Sequence, residues 1–146
     1  MPSPIVSRRH DILVLFDVTN GAPVEKKRLG LPAKLGTSVQ STVDFASAKS
    51  LLTSTYGKAS PASGDQLVFV DLATGTPTVL KTASKSFRYG GIRCAPGCGN
   101  VCLVADADAT GLLRYQIDPA TGAATELPFI KVDTTVGLPP RSLGLF

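Results

Sequence analysis

A strand-and-turn pattern that occurs three times constrains this chain more than any other feature. Residues 12–21, 67–75 and 113–122 each read as an apolar or alternating stretch, an Asp, three further residues and a Gly. The carboxylates of the three copies, Asp17, Asp71 and Asp118, are separated by 54 and 47 residues. An Asp in this place accepts hydrogen bonds from turn N–H groups, and the Gly supplies a positive φ. Each copy therefore predicts a hairpin turn, and the regular spacing predicts a repeat architecture.

Further strands are predicted around each copy. Branched and apolar residues follow every turn, and similar stretches precede the second and third copies. No stretch shows a sustained helical period with a capping residue at its start. The sequence therefore predicts an all-β chain with four strands in a complete unit, the additional strands covering 22–29, 38–46, 50–56, 76–82, 87–94, 101–106 and 123–130.

The order of strand, Asp, short Thr-Gly turn and second strand resembles the β-propeller repeats of the YVTN and NHL type. The resemblance covers about residues 10–146, with residues 46–49 and 95–100 standing where those repeats have their first hairpin turn. The chain has no Trp, so the WD40 branch with its Trp-Asp signature is disfavoured. The resemblance implies blades of four antiparallel strands.

Three blades are predicted within a single domain of 146 residues: residues 4–30 with 138–146, residues 36–83, and residues 86–132. The first blade begins at its second strand, near Pro4–Ser7, and the chain ends on Pro140–Phe146, which resembles a first strand. A propeller closes with about four to eight blades. We therefore expect a partial propeller that a second chain or copy completes to a full ring, or a piece of a longer propeller. Some other sandwich is the remaining alternative. Two copies would give six blades.

The three cysteines are evenly spaced at Cys94, Cys98 and Cys102. A disulfide between Cys94 and Cys98 across the Pro-Gly turn is predicted, with Cys94 and Cys102 as the rival pair. A zinc or iron–sulfur site is disfavoured because the usual ligand spacings are missing. A disulfide would favour an extracytoplasmic compartment, either periplasmic or secreted.

The acidic stretch that contains Asp106, Asp108 and Thr110 matches the opening of a calcium loop. The match then fails, because Arg114 and Ile117 stand at the ninth and twelfth positions, where further ligands belong. These three residues are weak metal candidates, and an ordinary turn between two strands is the favoured interpretation.

No catalytic or cofactor-binding residue is predicted. The single His, His10, lies beside two arginines near the start of the chain. Asp44, Asp65 and Glu126 lie in different hairpins, so the sequence does not predict a pair of catalytic carboxylates.

The net charge of +4 is modest, and its clusters are the short runs 8–10 and 26–28. The second run is typical of an exposed edge strand, and no nucleic-acid motif accompanies either. No apolar run approaches the ~18 residues of a membrane span. The sequence favours a non-catalytic interaction or assembly module that pairs with itself or with another protein. The alternatives are a six-bladed hydrolase or lactonase-like enzyme and a ligand-binding propeller.

Overall fold

The computed structural model describes residues 2–6, 12–30, 39–56, 64–85, 88–132 and 143. Within these ranges the chain forms strands and no helix, so no helix there could cross a membrane. The strands are β1 (Pro2–Val6), β2 (Ile12–Asp17), β3 (Val24–Gly30), β4 (Val39–Ser47), β5 (Ser50–Thr55), β6 (Gln66–Asp71), β7 (Pro77–Thr82), β8 (Tyr89–Ala95), β9 (Val101–Asp106), β10 (Gly111–Ile117) and β11 (Ala124–Lys131).

The strands form three antiparallel sheets in which sequence neighbours are also spatial neighbours. Sheet I contains β1 to β3, sheet II contains β4 to β7, and sheet III contains β8 to β11. The all-β prediction is confirmed, and β9 has the predicted bounds. β3 begins two residues after the predicted start, because residues 22 and 23 still belong to the turn.

The repeated Asp builds the turn that joins the last two strands of each sheet. In sheet II the Asp71 carboxylate accepts hydrogen bonds from the N–H groups of Thr74 and Ala73, both at 2.8 Å. These bonds, that of Thr74 foremost, lower the pKa of Asp71 because they favour its charged form. Gly75 closes the turn with a φ of +74°. Asp118 repeats the arrangement in sheet III.

The three sheets stack face to face around two apolar cores. All six residues of β5 and the central four of β6 are buried, because sheet II has a sheet against each face. The core between sheets I and II contains Leu13, Leu15, Leu29, Leu51, Val68 and Val70. The core between sheets II and III contains Ala46, Leu52, Leu67, Phe69, Ala83, Tyr89, Ile92, Cys94, Cys102, Val104, Leu113, Tyr115 and Ile117.

The first strands of the sheets lie next to one another, since β4 contacts both β1 and β8. Among the last strands, most residues of β3 and β11 and half of those of β7 are exposed. The basic run over 26–28 lies on one of these outer strands, as its edge-strand pattern predicts.

Lysines connect one sheet to the turn of the next. From sheet I, the Lys27 ammonium donates to the carbonyl oxygen of Leu72 and, at 2.7 Å, to that of Ala73. From sheet II, Lys49 donates to the carbonyl oxygen of Ala120 at 3.4 Å. Each acceptor belongs to the Asp-containing turn of the following sheet.

The disulfide joins Cys94 to Cys102, so the expected pairing of Cys94 with Cys98 is wrong. Cys94 and Cys102 lie directly opposite each other on β8 and β9 and belong to the core between sheets II and III. Cys98 lies at the exposed tip of the connecting turn, where its N–H donates to the carbonyl oxygen of Ala95. The rival pair, Cys94 with Cys102, forms because two residues that face each other across a hairpin are equally distant from its tip along the chain. Cys98 lies at that tip, midway between them.

The disulfide gives a direct prediction. Replacing Cys94 and Cys102 together by Ala should lower the free energy of unfolding by about 2–3 kcal/mol, the loop-closure value for a short loop. Cys98→Ala should leave stability nearly unchanged. Alkylation without reductant, followed by intact mass measurement, should modify Cys98 alone; modification of all three cysteines would contradict the pairing.

Candidate functional site

The acidic stretch after β9 forms a turn. One oxygen of the Asp106 carboxylate accepts hydrogen bonds from the N–H groups of Asp108 at 3.2 Å and Ala109 at 3.0 Å. Thr110 has a positive φ of 53°, and its hydroxyl donates to the carbonyl oxygen of Ala109. The side chains of Asp106 and Thr110 are thus engaged within the turn, as the turn interpretation predicts.

An arginine holds both oxygens of the Asp106 carboxylate. The Arg88 guanidinium donates to the two oxygens at 2.8 Å each, and Asp106 is only 1% exposed. These hydrogen bonds raise the pKa of Arg88. The Asp108 carboxylate lies 3.2 Å from the ammonium of Lys85. Because cations of the chain itself face both carboxylates, the arrangement does not suit calcium. Among the described residues, no three His, Cys, Asp or Glu side chains form a group able to hold a metal.

Like Asp106, Asp65 is a buried carboxylate that contacts Arg88. One of its oxygens accepts hydrogen bonds from the N–H groups of Arg88 at 2.8 Å and Tyr89 at 3.2 Å. Gly64 before it is indispensable, because an added Cβ would lie 1.7 Å from the carbonyl oxygen of Ala83. Asp65 therefore fastens the start of β6 to the start of β8. The sequence shows only an acidic residue after a Gly-rich loop, which does not reveal this role.

Two tyrosines and an ion pair lie between sheets II and III. Tyr115 donates to the Glu126 carboxylate at 3.2 Å, and Lys81 of sheet II lies 2.7 Å from its other oxygen. Burial raises the pKa of Tyr115, as does the charge of Glu126. Burial also raises the pKa of Tyr89, to about 12. The hydroxyl of Tyr89 is buried and has no hydrogen-bond partner within the described part of the chain.

The three carboxylates that the sequence analysis considered for catalysis, Asp44, Asp65 and Glu126, each have their own partners. The Asp44 carboxylate accepts from the N–H groups of Phe45 and Cys94, both at 2.9 Å, and so links β4 to β8. Asp65 and Glu126 have the partners given above. Each of these three carboxylates helps to hold sheets II and III together. In the described residues, the three bind different partners. His10 lies outside the described residues.

An apolar groove of about 480 Å³ opens where the turns of sheets II and III meet. Its wall combines the turn between β4 and β5, the turn between β8 and β9, and the start of the turn after β10. Its described lining has no charged side chain and consists of Phe45, Ser47, Ala48, Pro96, Gly97, Asn100 and Pro119.

Comparison with known proteins identifies the architecture. No protein-family model matches the chain, and no curated protein matches it significantly. Two solved structures do: a protein of Bacteroides fragilis named "putative 6-phosphogluconolactonase", at 20% identity and a TM-score of 0.58, and a functionally unknown protein of Desulfotomaculum acetoxidans, at 18% and 0.57. They cover 95% and 88% of this chain, which spans 37% of each of them. The three sheets are blades of a partial β-propeller.

The blades of this propeller are unequal in strand number. Sheets II and III have four strands, whereas sheet I has three among the described residues, with β1 on its inner edge. The segment expected to supply its fourth strand, residues 138–146, lies outside the described residues except for Leu143. Within the described chain, β1 has a hydrogen-bonded neighbour on one side only.

Sheet III has an open face, which is the face opposite to the one packed against sheet II. In sheet III, Arg93, Leu103, Arg114 and Leu127 lie directly opposite one another across the four strands. Residues paired in this way share a face. Their sequence neighbours, such as Tyr115, belong to the core against sheet II, so this row lies on the other face. No other described sheet covers that face of the propeller.

The Arg88 pair predicts a contrast between two neighbouring carboxylates. Asp106→Ala should lower the free energy of unfolding by about 2–4 kcal/mol, because it leaves the largely buried Arg88 without its partner. Asp108→Ala, which removes only an exposed ion pair, should change it by less than about 0.5 kcal/mol. Urea unfolding measures both. Equal losses, or a rise in the melting temperature of the wild type with calcium, would contradict the structural role of Asp106.

The buried tyrosines predict a loss of stability in alkali. An unfolded tyrosine ionises near pH 10, whereas folded Tyr89 stays protonated to about pH 12, so the free energy of unfolding should fall between these values. Tyr89→Phe should make this fall smaller and cost little at neutral pH, because the lost hydroxyl has no hydrogen-bond partner in the described ranges. Unfolding monitored by circular dichroism at several pH values tests both. A neutral-pH loss larger than that of Tyr115→Phe would contradict the assignment.

Proposed function

We propose that this chain is a non-catalytic interaction module, a set of propeller blades that pairs with further blades from a second copy or from another protein. The proposal rests on how many faces of each sheet are covered by another sheet. Sheet II has a sheet against each face, whereas sheets I and III each have a described sheet against one face only. The Asp-containing hairpins support placing the blades in the YVTN and NHL type.

Apolar side chains on sheet III support a protein as the partner. Ile130 on β11 is 41% exposed and lies opposite Leu112 on the open face. Covering apolar area contributes about 25 cal/mol per Å², so a second sheet placed here is stabilising. A propeller also needs more than three blades to close.

A ring of two copies is the simplest closed arrangement for such a module. In this proposal residues 138–146 supply the inner strand that the described part of sheet I lacks. The Cys94–Cys102 disulfide supports an extracytoplasmic location, where such bonds persist.

Light scattering after size exclusion tests the module. The average mass should rise with protein concentration, and Ile130→Lys should weaken the rise because it places a charge on the open face. Val79→Lys is the matched control, since Val79 is equally exposed, at 40%, but lies on the outer strand of sheet II. A strictly monomeric wild type that binds no apolar dye would refute the proposal.

A second candidate is hydrolysis of a sugar lactone, favoured by the name of the Bacteroides fragilis neighbour. Against it, the carboxylates described above already have partners: Asp106 holds Arg88, and Glu126 holds Lys81. Purified protein should therefore leave the spontaneous hydrolysis rate of 6-phosphogluconolactone unchanged. An increase proportional to protein concentration would replace the non-catalytic proposal with this one.

A further inference from the structure

We propose that a groove between the outer strands of sheets II and III binds a primary ammonium group on an unbranched alkyl chain, either a free amine or a lysine side chain. The groove lies on the side of sheet III that faces sheet II, away from the open face, so the site goes beyond the proposed function. Two observations support it: the chemistry of the groove, and a lysine that occupies the equivalent position between sheets I and II.

The groove has a volume of about 420 Å³ and lies between β7 of sheet II and the turn before β11 of sheet III. Its sheet II wall carries the carboxylate of Asp71 and a row of hydroxyls from Thr74, Thr76 and Thr78. Residues 121–124 form the opposite wall. The groove is therefore mixed in character, with oxygen atoms along one side and small side chains along the other.

An aromatic ring borders the groove because residue 122 is a glycine. A Cβ on Gly122 would lie 3.3 Å from Cζ of Phe69, so a larger residue would cover the ring. Phe69 is 8% exposed, which offers a strip of apolar surface but no platform on which a sugar or a base could stack. An alkyl chain is the kind of group that fits such a strip, as the stems of lysines do on apolar surfaces.

The polar groups of the groove suit a hydrogen-bond donor with a positive charge. Asp71 is the one charged side chain in the described lining. The turn engages one of its oxygens, which accepts from the N–H groups of Ala73 and Thr74, both at 2.8 Å, and from the Thr74 hydroxyl at 3.1 Å. An ammonium has three donors and no acceptor, so it matches carboxylate and hydroxyl oxygens, whereas an anion does not. A calcium ion would require more carboxylate ligands than this lining has.

The equivalent position between sheets I and II is occupied by a lysine. Leu15 and Phe69 each lie two residues before the repeated Asp, and each belongs to the core toward the following sheet. Leu15 pairs with Lys27 on β3, and Phe69 pairs with Thr78 on β7. Lys27 and Thr78 are therefore equivalent positions of the repeat.

Lys27 shows which group this position accepts. Its ammonium donates to the carbonyl oxygens of Leu72 and Ala73 in the turn of sheet II, the latter at 2.7 Å. The side chain of Thr78 is too short to reach the turn of sheet III in the same way. A ligand in the groove would supply the alkyl chain and the ammonium that sheet I supplies through Lys27.

The lysines near the groove have acceptors of their own. Lys81 lies 2.7 Å from the carboxylate of Glu126, and Lys49 donates to the carbonyl oxygen of Ala120 at 3.4 Å. The described lining of the groove includes neither lysine. The carboxylate of Asp71 thus remains the charge that faces a ligand there.

Titration of the full chain, followed by nuclear magnetic resonance of its backbone amides, tests the proposal. The probes are pentylammonium, the neutral alcohol 1-pentanol and the anion hexanoate. Pentylammonium should shift the signals of Thr76, Thr78 and Gly122, and it should bind at least about tenfold more tightly than pentanol, because hydrogen bonds between charged groups are stronger. Hexanoate should not bind in the groove.

A fourth probe separates the two sources of the ammonium. The blocked tripeptide Ala-Lys-Ala presents the same group on a peptide backbone. Tighter binding of the tripeptide than of pentylammonium would assign the site to a lysine of a protein segment, and equal or weaker binding would assign it to a free amine.

Two substitutions should each weaken pentylammonium binding by at least about tenfold. Asp71→Asn removes the charge and keeps an oxygen for the turn, whereas Thr78→Lys fills the groove with a tethered ammonium. The matched controls are Asp118→Asn, at the same turn position of sheet III, and Thr82→Lys, at the exposed far end of the same strand. Both controls should bind as the wild type does. Melting curves establish that each variant is folded.

Four results would overturn the proposal. Equal affinity for pentylammonium and pentanol would show that the charge is not recognised, and no binding of any probe would show that the groove takes no such ligand. Shifts confined to residues outside the groove would place the amine elsewhere. Binding that Asp71→Asn and Thr78→Lys both leave unchanged would do the same. The proposed function fails separately, in the concentration dependence of mass and its response to Ile130→Lys.

Discussion

Burial of sheet II on both faces is the constraint on which the rest of the structure depends. A strand whose every residue is buried can satisfy its backbone groups only within its own sheet, and β5 does so between β4 and β6. Of its polar side chains, Ser50 shares a hydrogen bond with the hydroxyl of Ser47 at 2.7 Å, whereas the buried hydroxyls of Ser54 and Thr55 have no hydrogen-bond partner among the described residues. Such a sheet cannot exist alone, so its neighbours are part of its own stability.

Attachment of sheet III to sheet II shows how the stack is fixed in register. Two carboxylates of sheet II reach the backbone of β8 from either end: Asp65 binds the N–H of Tyr89 near its start, and Asp44 binds that of Cys94 near its end. Contacts to backbone atoms fix the position of the strand itself. The disulfide then fixes β9 to β8, so that the inner half of sheet III is held as a unit.

The three sheets could be predicted from the sequence because their turns carry a local pattern, the Asp that accepts hydrogen bonds and the Gly with positive φ. Strand order also followed, since each chain neighbour is a sheet neighbour. The cysteine pairing could not be predicted, because it depends on where the hairpin tip falls, and the even spacing of the three cysteines left two pairings of Cys94 open. The partners of Asp106 and Asp65 could not be predicted either, because Arg88 is distant from both along the chain. The open face of sheet III could not be predicted from the sequence either, because its arginines and leucines lie in one row only once the four strands are paired.

The lysine contacts between sheets have an evolutionary consequence. Lys27 and Lys49 bind carbonyl oxygens of the neighbouring turn, and every residue type has a carbonyl oxygen. Point mutations at the acceptor positions therefore do not remove the acceptor. The turns can therefore differ in sequence from sheet to sheet while the lysine contacts between the sheets persist, since only the backbone shape of the turn is needed.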